Sequence, residues 1–137
     1  MPRKRPSRPT SIARYLIVES WSASVGSHYG AVALGPHSSY LHLYGHLDEP
    51  LRNISKAHVQ ISPDPHWETR TTAGMLIGLK PHAQFVISVP PIEFDRLWQL
   101  VLGNACRSIR FVFSEPKWSK ATITGWYAST NLPDEDE

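Results

Sequence analysis

The chain has 137 residues, 41% of them apolar and 19% charged, with a formal net charge of +2. Length and composition suit one globular domain with a real core and exclude a chain that is disordered throughout. No run approaches the roughly 18 apolar residues of a membrane-spanning helix, no apolar segment before Tyr15 suggests a signal peptide, and the lone Cys106 excludes an internal disulfide.

Charge is unevenly placed. Residues 1–14 carry Arg3, Lys4, Arg5, Arg8 and Arg14 and no acid, and residues 134–137 are Asp-Glu-Asp-Glu. Pro2, Pro6 and Pro9 interrupt the basic stretch, which has no apolar period. We read residues 1–13 as a disordered basic arm, 14–130 as a single β-rich domain, and 131–137 as a solvated acidic tail. A lone cysteine fits a reducing compartment, so the expected location is cytoplasmic, or nuclear in a eukaryote, where the arm resembles a short import signal.

From Arg14 onward the pattern is that of strands. Residues 14–21 form the first, residues 24–30 a turn, residues 29–35 a short second strand, and residues 35–39 a second turn. The third strand, 39–48, splits in steps of two into an apolar stripe (Leu41, Leu43, Leu47) and an amphipathic one (Tyr40, His42, Tyr44, His46). A loop at 48–53 leads to the fourth strand, 54–62, with Ser55, Ala57, Val59 and Ile61 on one face and Lys56, His58 and Gln60 on the other. Residues 67–79 begin with alternation at Trp67, Thr69 and Thr71 and read as one bent strand or two. Residues 83–89 are another strand.

The period then changes. Phe94, Leu97, Trp98 and Val101 fall at i, i+3, i+4 and i+7, predicting an α-helix near 91–102. Pro91 suits its first turn, and Gly103 suits a left-handed C-cap. The chain ends in a hairpin. Ile109, Phe111 and Phe113 point inward on one strand, and Ala121, Ile123 and Tyr127 share a face of the other, with Trp126 opposite. The sum is a mainly β (α+β) fold: a largely antiparallel β-sandwich or partial barrel of about seven to nine strands with one helix.

The spacing His42-x3-His46 would mark a zinc pair on a helix. On a strand those residues lie about 13 Å apart, too far for one zinc with bonds of about 2.0–2.1 Å. A cross-strand site needs His58, placed opposite either His46 or Tyr44, and a further ligand such as His66 or Asp48. A small metal enzyme built on His46, His58 and His66 is therefore the third-ranked reading. No nucleophile elbow, phosphate loop or dinucleotide fingerprint is present, so no catalytic residue, cofactor or metal is assigned. Asp64, His66 and Glu68 form a loose acid–base grouping, and Cys106 reads as a packed, inert thiol.

The first-ranked function is a non-enzymatic binding module, acting in protein–protein interaction or self-association as a homo-oligomer. Its contact residues are Tyr40, His42, Tyr44, His46, His58 and Trp118, the last in a turn between Lys117 and Lys120. For Trp118 a second reading stands equally, a plug folded back on the barrel end. The alternative function is a nucleic-acid-binding accessory protein that uses Arg3, Lys4, Arg5, Arg8 and Arg14. No membrane partner is expected.

Overall fold

The computed structural model describes residues 11–27 and 37–133. Seven strands close into a barrel: β1 (Ser11–Ser27), β2 (His37–Leu51), β3 (Ile54–Pro63), β4 (Gly74–Gly78), β5 (Ala83–Val89), β6 (Ser108–Ser114) and β7 (Ala121–Ser129). Their order around the barrel is β1-β2-β3-β5-β4-β7-β6, and β6 returns to β1. The helix α1 (Pro91–Leu102) follows β5. The mainly β composition and the helix match the expectation. The architecture is a closed barrel and not a sandwich, because β1 pairs with both β2 and β6 and leaves no sheet edge along residues 11–17. All neighbours are antiparallel except β3 and β5, which run parallel.

Period-two patterning builds the interior. Leu41, Leu43, Val59, Ile61, Phe85, Ile87, Ile109, Phe111, Phe113 and Ile123 are all fully buried. Phe85 stacks on Phe111 with ring centroids 4.5 Å apart and meets Phe113 edge-on at 5.7 Å. Phe94, Leu97 and Val101 join this core from the helix, while Trp98 is half-buried against Phe94 at 5.7 Å.

Several local expectations change. The alternation at residues 67–71 forms no strand. Trp67–Thr69 is a 3-10 turn, held by the Thr69 hydroxyl donating to the His66 carbonyl and by the Asp64–Arg70 ion pair at 3.1 Å. Gly103 is not left-handed; its φ is −78°, and Asn104 takes φ 57° instead. The amides of Asn104 and Ala105 donate to the carbonyls of Val101 and Leu100, the paired closure of a Schellman cap. Residues 24–27, expected in a turn, continue β1, and residues 48–51, expected in a loop, continue β2. The predicted strand at 29–35 and the tail at 134–137 lie outside the described residues. β1 starts at Ser11, so Ser11, Ile12 and Ala13 pair with β6.

Two bulges reset the facing of side chains. In β7, Thr124 is an extra residue between the pairs Val112–Gly125 and Phe113–Ile123. The bulge reverses the parity expected from sequence: Trp126 packs against the core, and Tyr127 is 62% exposed. In β1, Glu19 is the extra residue between the pairs Val18–Gly45 and Ser20–Tyr44. The β1 backbone here comes so close to β2 that a Cβ on Gly45 would sit 1.8 Å from the Ile17 carbonyl oxygen. Only glycine fits there.

The register also sorts the turns. One end of the barrel gathers the start of β1 and the β2–β3, β4–β5 and β6–β7 turns. The other gathers the β3–β4 connection, α1 and the end of β7.

Candidate functional site

The amphipathic stripe faces outward as its period requires. Tyr44, not His46, lies opposite His58, and His42 lies opposite Gln60. Parallel pairing then sets Gln84 of β5 beside His58 and brings His82, one residue before β5, to the same patch. The result is a cluster of five rings on the outer wall of β2, β3 and β5. Tyr44 lies over His58 at 4.7 Å with planes 14° apart, and Tyr40 tilts toward His42 at 6.5 Å. His82 meets His58 edge-on at 6.0 Å.

The centre of the cluster is a hydrogen bond between two imidazoles. His42 Nδ1 and His58 Nε2 are 2.9 Å apart, with ring planes only 7° apart. Such a bond needs one N–H and one lone pair, so at most one of the two rings can be cationic while it holds. Partial burial, with His42 and then His82 nearby, pushes the His58 pKa below its ordinary 6.5. His58 is therefore neutral near neutral pH, and the bond cannot form between two doubly protonated rings.

Of the sequence-predicted contact residues, the structure unites Tyr40, His42, Tyr44 and His58. It separates His46, which lies opposite Lys56 and contacts Glu19 across the β1 bulge at 2.5 Å. His66 lies at the opposite end of the barrel from the β2–β3 turn, beside Asp64. His46, His58 and His66 thus do not converge, and among the described residues no group of three His, Cys, Asp or Glu side chains forms a metal cage. Asp48 accepts the Tyr15 amide at 2.8 Å. His82 was missed from sequence, because only the non-local β3–β5 pairing brings it beside His58.

Trp118 is 94% exposed, which rules out the plug reading. Trp118 and Ser119 both adopt positive φ, 56° and 63°, between Lys117 and Lys120, whose backbones exchange two hydrogen bonds. Arg14 is pinned: its guanidinium donates to the carbonyls of Glu49 and Pro50 and lies 3.6 Å from the Glu49 carboxylate. Arg3, Lys4, Arg5 and Arg8 lie outside the described residues.

Two concavities complete the surface. An open groove of about 760 Å³ runs between α1 and β7, lined by Glu93, Arg96, Leu97, Leu100, Trp126 and Tyr127 among others. Its aromatic wall exists because the Thr124 bulge turns Trp126 inward, which the sequence pattern did not signal. A smaller hollow of about 400 Å³ includes Glu19, Trp21, Asn104 and Cys106. Burial pushes the Cys106 thiol up to about 11, so it is protonated at neutral pH and is no thiolate nucleophile there. The Trp21 indole donates to the Asn104 side chain at 2.8 Å in the same hollow.

No protein-family model matches this sequence, and searches of curated proteins and of solved structures return no significant match.

Proposed function

We propose that the protein is a non-enzymatic binding module that docks another protein chain on the Tyr40/His42/Tyr44/His58/His82 face of its barrel. The observation that supports this is the ordering of the rings before any partner arrives. The His42–His58 bond and the Tyr44–His58 stack fix the orientation of large amphipathic side chains, which lowers the entropy cost of association. Tyrosine and histidine bury apolar area while keeping a polar tip, the chemistry favoured at contact surfaces. Gln60 and Gln84 flank the patch, and Lys56 borders it, forming a polar rim.

A second copy of the chain is the partner this face suits best. Phenol hydroxyls and neutral imidazoles both donate and accept, so the patch can complement itself across a two-fold axis. Sedimentation velocity over a range of concentrations tests this. The expected result is a dimer that Tyr44→Glu converts to a monomer with an unchanged circular dichroism spectrum. A wild-type monomer at every concentration overturns self-association. A Tyr44→Glu variant that keeps every partner of the wild type overturns the face itself.

A further inference from the structure

We infer that the turn-bearing end of the barrel, centred on Trp118, is a second contact surface, adjoining the ring face at Lys56, that binds single-stranded nucleic acid. Two local features of the β6–β7 turn are unfavourable within the chain itself. A two-residue hairpin turn with both φ values positive calls for Asn-Gly, and this one places Trp118 and Ser119 there. Left-handed backbone is costly for a bulky L-residue, and a side chain 94% exposed recovers almost nothing by packing. Lys117 and Lys120 are paired directly across the turn, an arrangement that sets like charges together. A strained, solvated aromatic between two facing cations gains its return from something outside the fold.

The rest of that end points to the partner's charge. Arg14, Arg52, Lys56, Lys80, Lys117 and Lys120 stand there against Asp48, Glu49 and Glu115, whereas the other described ionic groups number four basic and five acidic. The near-neutral total of the body thus hides a barrel polarised along its axis. The Arg52 guanidinium donates to the Pro116 carbonyl and so ties the β2–β3 turn to the Trp118 turn.

Cations around one presented aromatic ring match a flexible polyanion with unstacked bases. The lysines meet phosphates, and a base stacks on the indole. A duplex hides its bases in the stack, so Trp118 would add little to duplex binding. An anionic membrane would meet the same charge but needs more inserted apolar surface than one indole supplies.

Fluorescence anisotropy of the full chain with labelled mixed-sequence DNA, single-stranded and duplex, tests the inference, alongside flotation with phosphatidylserine–phosphatidylcholine vesicles. Four exposed lysines predict a log–log salt slope of about −3 on single strands. Trp118→Ala should weaken single-strand binding by roughly 5- to 100-fold and leave the circular dichroism spectrum unchanged. The Lys117→Ser/Lys120→Ser pair should flatten the slope by about 1.4. Equal affinity for single strand and duplex, indifference to Trp118→Ala, flotation without oligonucleotide binding, or no binding at low salt each overturns it. So does an Arg3/Lys4/Arg5/Arg8→Ser variant that abolishes binding while Trp118→Ala leaves wild-type affinity intact. A monomeric wild-type protein that still binds single strands would reject self-association through the sheet face and leave this inference standing.

Discussion

Replacing Trp118 by glycine should make the protein more stable. Trp118 holds φ at 56° and leaves 94% of its surface in solvent, so its removal relieves backbone strain and forfeits almost no burial. Left-handed backbone costs an L-residue about 1–2 kcal/mol. Glycine returns about 0.5–1 kcal/mol of that through its greater freedom in the unfolded chain. The net gain is about 0.5–1 kcal/mol. For a slope near 1.5–2 kcal/mol per molar urea, the unfolding midpoint should rise by about 0.3–0.6 M with the slope unchanged. Far-ultraviolet circular dichroism is the readout, because four other tryptophans would blur a fluorescence signal. A midpoint that falls by a similar amount would refute the reasoning, since it would mean that the indole packs on the chain. The same variant should weaken single-strand binding, so stability and function would move in opposite directions at one residue.

Gly45→Ala should cost about 3 kcal/mol or more by urea unfolding, because its Cβ meets the Ile17 backbone oxygen and not a movable side chain; Gly26→Ala, with nothing within 4 Å, should stay within about 0.5 kcal/mol. Phe85→Ala removes the ring that stacks on Phe111 and meets Phe113 edge-on, and should cost about 3–5 kcal/mol in the same assay. Unfolded His58 takes up its proton near 6.5 and folded His58 only at lower pH. The unfolded state therefore binds more protons within that window, and stability falls as pH drops through it. His58→Gln should flatten this acid-side decline in urea midpoint measured against pH, and an unaltered pH profile would show that the His42–His58 pair is not its source.

The sequence by itself determined much of the wall of the barrel and its helix. Alternation in β2, β3, β5 and β6 requires Leu43, Val59, Phe85 and Phe111 on one side and Tyr44 and His58 on the other, because a strand has no third direction. The four apolar residues of α1 likewise marked its inner face, although Trp98 is only half-buried. Tertiary structure decided whatever depends on distant partners. Closure through β1 and β6, the parallel β3–β5 pair that carries His82 to His58, and the gathering of six cations at one end join residues that are far apart in the chain. The bulges at Glu19 and Thr124 are decided the same way: one extra residue reverses facing, and local periodicity cannot show which strand of a pair carries it. Local sequence sets which face of a strand is apolar, whereas only the closed network of backbone hydrogen bonds sets which faces and which turns become neighbours.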